Sequence, residues 1–222
     1  MMEYEIFGLD EIKLFISKEH RFGTDSLLLG DYVGGVKNKV VCDLCSGCGI
    51  IPVMLCRENP PLKIYAVEIQ QKAADLIRHT VKTNNLNLIE VIQGDLRSEE
   101  TIAQIGRERV DIVTANPPYY PEKSGFKRAS TPQKIARYDI ECRLEDVVGS
   151  AAGLLKFGGC LKMCMTASRL AECIAIMQEY AIEPKEIIFI GKANPVGEMP
   201  AARLFLISGR KGGKSGVNVF WK

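Results

Sequence analysis

Short runs of β-type residues alternate with amphipathic stretches along most of this chain, and that alternation restricts the fold more than any other feature. "KVVCDL" reads as a buried strand, and "GIIPVMLCREN" as a helix that tolerates Pro52 in its first turn. "KIYAVEI" is a strand, and "QQKAADLIRHTVKTNN" predicts a helix with Ala74, Ile77 and Val81 on one face and Asn84–Asn85 as its stop. "IEVIQGDL" is a strand followed by a polar helix, and "VDIVTANPPYY" is a strand ending in a rigid turn. Then come a helix closed by glycines ("RLEDVVGSAAGLLKFGG"), a strand ("CLKMCMTA"), a helix ("RLAECIAIMQEYA") and two strands ("KEIIFIG", "ARLFLISGRK"). This order implies an α/β fold, a parallel sheet covered by helices on both faces. The last two strands are linked by the helix-free "KANPVGEMPA", which predicts an antiparallel pair at the sheet edge.

A length of 222 residues suits a single domain. The expected division is an N-terminal extension over 1–38, with "YEIFGLDEIKLFIS" as a small hairpin, and a core over 39–222. No apolar run approaches a membrane span, and "MMEYEIFGLDE" lacks the basic-then-apolar layout of a signal peptide. A cytoplasmic, monomeric protein is expected, with no membrane association. Its eight cysteines would then be reduced and serve as small buried apolar residues.

"VVCDLCSGCGIIPV" (40–53) supports two readings. Cys42, Cys45 and Cys48 at C-x-x-C-x-x-C spacing could hold zinc or an iron–sulfur cluster, but a fourth ligand would have to be Cys56, inside the following helix. Alternatively, a strand ends at Asp43, Gly47 and Gly49 allow a tight turn near a ligand, and a helix starts with its N–H groups aimed at it. The second strand ends in Glu68, placed to accept hydrogen bonds from a ribose diol, a logic shared by dinucleotide and S-adenosylmethionine sites. Pro52 at the third glycine position of G-x-G-x-x-G disfavours the dinucleotide. No metal is expected. Asp95 closes the third strand, either to bind an adenine amine or as an Asx turn or N-cap.

The fourth strand ends in Asn116, Pro117, Pro118 and Tyr119. Two prolines stiffen the turn, and the Asn116 amide oxygen and the Pro117 carbonyl offer two acceptors to one planar NH2 group. Tyr119 adds a face on which a base can stack, worth roughly 1–3 kcal/mol.

"DLCSGCG", Glu68, "GD" at 94–95 and "NPPY" resemble the class I S-adenosylmethionine-dependent amino-methyltransferases. "HRFGTDSLLLGDYV", "NPPYYPEKSGFKRASTPQKIARYDI" and "GRKGGKSGV" are similar to the bacterial tRNA(Val) adenine N6-methyltransferase group, which modifies adenine 37. The resemblance implies a Rossmann-like, mostly parallel seven-stranded sheet with an antiparallel edge strand, with S-adenosylmethionine as cofactor and tRNA as partner. It implies that Thr24 and Asp25 close over the methionine end, and that Asp43 and the turn residues Cys45, Gly47 and Gly49 hold the amino-acid moiety. Glu68 with Ile69 would take the ribose, Asp95 with Leu96 the adenine, and Asn116 would join cofactor and base. The chain stops at "GVNVFWK", where related sequences continue, so a short terminal strand is expected to be missing or altered. "NPPY" also serves rRNA guanine and protein glutamine methyltransferases, and those substrates remain the nearest alternatives.

A tRNA base must leave its stack to reach Asn116, and the RNA must be gripped by phosphate contacts. One basic segment follows the motif: Lys123, Lys127, Arg128, Lys134 and Arg137, with Phe126 interleaved. The other is the tail, with Arg203, Arg210, Lys211 and Lys214. Neither His20 nor His79 is expected to be catalytic.

Overall fold

The structure, a computed structural model, describes residues 4–117, 142–191 and 201–222. Pro118, Tyr119, Lys123, Phe126, Lys127, Arg128, Lys134 and Arg137 lie outside the described residues.

The chain opens with the expected hairpin, β1 (Glu5–Leu9) antiparallel to β2 (Ile12–Ile16), turning at Asp10, whose φ is 52°. Helix α1 (Thr24–Val33) follows. Then come β3 (Val40–Leu44), α2 (Ile50–Leu55), β4 (Lys63–Glu68), α3 (Gln71–Thr83), β5 (Ile89–Gln93), α4 (Glu99–Ile105) and β6 (Val110–Ala115). After the undescribed stretch lie α5 (Leu144–Leu154), β7 (Leu155–Thr166), α6 (Leu170–Glu179), β8 (Ile182–Gly191), β9 (Ala202–Lys211) and β10 (Asn218–Trp221).

Among the described residues the main sheet has eight strands in the order β10-β8-β9-β7-β6-β3-β4-β5. All run parallel except β9, which is antiparallel to both β7 and β8. The sheet corrects the expected topology in two respects. The antiparallel strand is not at the edge but inserted between β7 and β8, and an eighth strand, β10, takes the edge by pairing with β8 where a missing or altered terminal strand was expected. Local periodicity specifies that a segment is extended, not which neighbours its ladder bonds reach.

Alternating side chains of β3 separate two cores. Cys42 and Leu44 pack with α4, α5 and α6 through Ile102, Val147, Leu154 and Met177. Val41 packs on the other face with Leu29 and Val33 of α1, Val53 of α2, Ile77 of α3 and Leu14 of β2. The N-terminal segment is thereby built into the second core. Its hairpin is tied to α3 by the Phe15 N–H on Thr80 Oγ1 (3.0 Å) and by Asn84, whose side chain bonds both Lys13 N–H and Lys13 C=O. Lys162 of β7 reaches the other end of α1, donating to the carbonyls of Tyr32 (3.2 Å) and Val33 (2.8 Å) at the negative helix terminus. Helix α1 thus lies on this face of the sheet, with its first turn at the carboxyl end of β6, where Asp25 and Ser26 meet Asn116, and its last turn over the middle of β7.

Candidate active site

The chain runs outward from β3 through β4 and β5, then returns to the other side of β3 with β6. The crevice beyond the strand ends at such a reversal is where open α/β sheets bind ligands. A cavity of about 1010 Å³ lies there, lined by residues from the ends of β4 and β6, the turn after β3, the loop before α1 and the start of β9. Of the expected site residues it brings together Thr24, Asp25, Cys45, Gly47, Glu68, Ile69, Asp95, Leu96, Asn116 and Pro117.

The turn after β3 owes its shape to backbone conformation. Cys45 (φ 60°), Gly47 (φ 57°) and Gly49 (φ 82°) all occupy the left-handed region. Gly49 is the N-cap of α2: its N–H closes the turn on the Ser46 carbonyl at 2.8 Å, and its carbonyl accepts the Val53 N–H at 3.1 Å. A Cβ at Gly49 would sit 3.0 Å from Ile77 Cγ1, so this glycine also lets α3 approach. A Cβ at Gly47 would meet nothing within 4 Å, because that position faces the cavity.

Glu68 is 5% exposed, and its carboxylate braces this turn from the neighbouring strand. Oε2 accepts the Gly47 N–H at 2.8 Å and Oε1 the Gln70 N–H at 2.9 Å. Burial pushes its pKa up, and the backbone donors offset part of that. Each carboxylate oxygen has a second lone pair, so Glu68 can brace the turn and accept from a ligand hydroxyl at once.

Asp43 lies behind the turn, 1% exposed and not among the cavity-lining residues. It accepts Thr114 Oγ1–H at 2.5 Å and Ser46 Oγ–H at 2.7 Å. Burial raises its pKa to about 7, against the pull of those hydroxyls. Gly49, too, does not line the cavity. Asp95 does, but its carboxylate closes an Asx turn with Arg97 N–H (2.9 Å) and takes a two-pronged contact from the Arg97 guanidinium (2.9 and 2.6 Å). Arg97 accordingly holds the Asp95 carboxyl below the usual range.

Asn116, at the end of β6, donates through Nδ2 to Asp25 Oδ2 at 3.0 Å and to Ser26 Oγ at 2.8 Å. Sequence reasoning assigned no role to Ser26 and gave Asp25 a different one; a contact across 91 residues leaves no local signal. His20, buried in the cavity wall, has its pKa lowered mainly by that burial. His79 is exposed on α3, with its ring 4.1 Å from that of Phe15.

The basic tail is divided by β9. Arg203, at the strand's start, is exposed and lines the cavity. Arg210 and Lys211 lie at the far end, roughly 20 Å away along an extended strand, so they do not belong to this site. Lys211 donates there to Glu108 and to the Leu155 carbonyl. The antiparallel run of β9 carries them to the opposite edge of the sheet.

The cysteines do not converge on an ion. Cys42 and Cys48 pack into cores on opposite faces of the sheet, and burial pushes both thiols up, Cys48 to about 12. Among the described residues no cluster of histidine, cysteine and carboxylate side chains could hold a metal, and no helix is long and apolar enough to cross a membrane.

A doubly wound, mostly parallel sheet with one antiparallel strand near its edge and a cavity at the reversal point is the class I methyltransferase architecture. A predicted O-methyltransferase from Agrobacterium tumefaciens shares it with a TM-score of 0.67 at 21% identity, over 89% of this chain and 85% of that one. TYW2 of M. jannaschii, solved in complex with AdoMet, shares it at 0.60 and 13% identity, over 93% and 86%. By sequence, the methyltransferase small domain family matches residues 14–138, more than half of the chain, and the protein belongs to that family. One relative, the tRNA1(Val) (adenine(37)-N6)-methyltransferase of Porphyromonas gingivalis, is 28% identical over 157 residues, which are 68% of this chain but only 61% of that protein.

Proposed function

We propose that the protein transfers a methyl group from S-adenosylmethionine to the exocyclic N6 amine of an adenine in tRNA, at position 37 of tRNA(Val). The observation that carries the reading is Asn116, held by α1 at the end of β6 and facing a cavity whose wall is the Glu68-braced glycine turn. The family match and the name of the Porphyromonas gingivalis relative support it.

The residues present fit the cofactor. The space in front of Gly47 would be filled by any side chain there, and the buried Glu68 carboxylate keeps acceptor capacity for a diol. Glu68 with Ile69 would hold the ribose, Leu96 and Asp95 the adenine edge, and Cys45, Gly47 and Thr24 the amino-acid end. Asp43 acts one layer behind, through Ser46. When bound, S-adenosylmethionine supplies a methyl made electrophilic by its sulfonium.

The protein's part is to make a poor nucleophile competent. The lone pair of an adenine amine is delocalised into the ring. Asn116 Oδ1 and the Pro117 carbonyl accept its two N–H bonds, draw the nitrogen toward sp³ and aim the lone pair across the cavity. Alignment and preorganised acceptors supply the rate. The extra proton becomes acidic only once the new N–C bond exists, so no base has to act first. Pro118 and Tyr119 complete the motif, Tyr119 stacking on the flipped base. Arg203 at the cavity mouth takes a backbone phosphate, and the basic segment that begins at Lys123 contributes further contacts. The reaction belongs to the cytoplasm, where tRNA is processed.

The test is methyl transfer from labelled S-adenosylmethionine to unmodified tRNA, with the product digested to nucleosides and Asn116→Ala run in parallel. N6-methyladenosine from wild type alone is the expected result. Label in a guanosine derivative, or only in protein glutamine, would replace the proposed substrate.

A further inference from the structure

Asn116 can serve an amine only if its amide presents oxygen rather than nitrogen. An Asn side chain does not decide this by itself, since its two ends are nearly the same shape. Here the decision is made by α1. Asp25 is a carboxylate, which can only accept, so the amide end facing Asp25 Oδ2 at 3.0 Å must be Nδ2. The Ser26 hydroxyl takes the second amide hydrogen at 2.8 Å. With the NH2 end turned to α1, Oδ1 is turned the opposite way. A carboxylate on the NH2 end also draws charge through the conjugated amide and makes the oxygen a better acceptor.

A second feature is built around the same carboxylate. Gly23, the N-cap of α1, has φ −108° and ψ 177°, extended backbone that any residue adopts. The need for glycine there lies in space. A Cβ at position 23 would lie 2.2 Å from Asp25 Oδ1, inside the volume the carboxylate occupies. A side chain at 23 would therefore require the Asp25 carboxylate that holds Asn116 to shift. The first turn of α1 is also where the helix dipole favours a negative charge. Its far end is anchored by Lys162.

We propose that Gly23, Asp25 and Ser26 form a bracket whose function is to set the rotamer and polarity of the Asn116 amide, with Asp25 as its positioning residue. This replaces the expected placement of Asp25 on the methionine end of the cofactor, and it rests on the adenine N6-methyltransferase reading of the site. Asp25 touches neither base nor methyl; it acts through Asn116.

The test has one arm without substrate and one with it. In the ligand-free protein labelled with ¹⁵N, the side-chain amide pair of Asn116 is assigned by its loss in Asn116→Ala. The bracket predicts that this pair shifts in Asp25→Ala and in Gly23→Ala while the backbone pattern of the sheet is retained. In turnover with labelled S-adenosylmethionine and tRNA, Asp25→Ala is expected to lower kcat roughly 10- to 100-fold, the scale of misplacing one acceptor. KM for tRNA and Kd for S-adenosylmethionine should change less than about threefold, and Asp25→Ala should have little further effect on top of Asn116→Ala. Asp25→Asn, which keeps an acceptor without the charge, should recover part of kcat. An unmoved Asn116 amide signal overturns the proposal. So does a large rise in the S-adenosylmethionine Kd with kcat restored at saturation, which returns Asp25 to the cofactor. If wild type methylates no RNA while the amide signal still moves as predicted, the functional reading fails and the bracket stands.

Discussion

Glu68→Gln separates two jobs that the structure gives to one carboxylate. In the absence of any ligand, Glu68 accepts the N–H of Gly47 from the turn and the N–H of Gln70 at the start of α3. Both bonds are part-buried, and bonds to a charged acceptor contribute about 1.5–3 kcal/mol each. Gln keeps one oxygen, so one N–H stays paired and the other faces an NH2 group. The loss is one charge-assisted bond plus a buried unpaired donor, offset in part because Gln does not bear the desolvation that raises the Glu68 pKa. The net is a destabilisation of about 2 kcal/mol, which in a chain of this size lowers Tm by roughly 4–8 °C. Glu68→Ala, with both donors orphaned, should cost about 3–5 kcal/mol. Urea unfolding of the ligand-free proteins at pH 7.5 measures this, and titration calorimetry with S-adenosylmethionine measures the second job. The account expects a lower unfolding midpoint and weaker binding in both variants. A Glu68→Gln protein with an unchanged midpoint and weakened binding would refute the bracing of the turn by this side chain.

Further expectations follow from the same geometry. Asp43 has a folded-state pKa raised to about 7. The folded protein therefore binds its proton more tightly than the unfolded chain, and this contribution to stability is full below about pH 4 and lost as pH rises through 7. Asp43→Asn should flatten that decline, read as the difference in urea midpoint between pH 5 and pH 8 for wild type and variant. Gly49→Ala forces a left-handed residue and a Cβ onto Ile77. It should cost about 2–3 kcal/mol, measured by thermal unfolding. Ser98 caps α4 by accepting the Thr101 N–H at 3.1 Å, and Ser98→Ala should cost about 1 kcal/mol with no effect on S-adenosylmethionine affinity.

The parts of the fold that could be read from the sequence are those set by local pattern. Strand and helix order from β3 to β6 follows from periodicity, and the carboxyl ends of parallel strands must share one edge, so Glu68, Asp95 and Asn116 meet as expected. Long-range pairing was legible only in part. The helix-free link makes the antiparallel pairing of β9 with β8 legible, but the insertion of β9 between β7 and β8 depends on ladder bonds across tens of residues; the strand's length then separates Arg210 and Lys211 from Arg203. Strand-end side chains are a finer problem. Asp43 sits one residue before the end of β3, and there the pleat directs it toward Ser46 and Thr114 rather than the cavity. For Asp95 the local pattern offers an Asx turn as an alternative to an adenine contact, and the carboxylate closes such a turn with the Arg97 N–H two residues on. The spacing of the cysteines offers a metal reading as an alternative to packing residues in a cofactor turn. Alternation along β3 and the turn after it send Cys42 and Cys48 to opposite faces, where they fill space.

The central claim is that this site methylates one amine of one base. The most direct measurement is mass analysis of nuclease fragments from a tRNA(Val) transcript incubated with the protein and S-adenosylmethionine, beside a transcript carrying guanine at position 37. The account predicts one added methyl, on N6 of adenine 37, in the first transcript and none in the second. A methyl at any other position, or equal labelling of both transcripts, would contradict it.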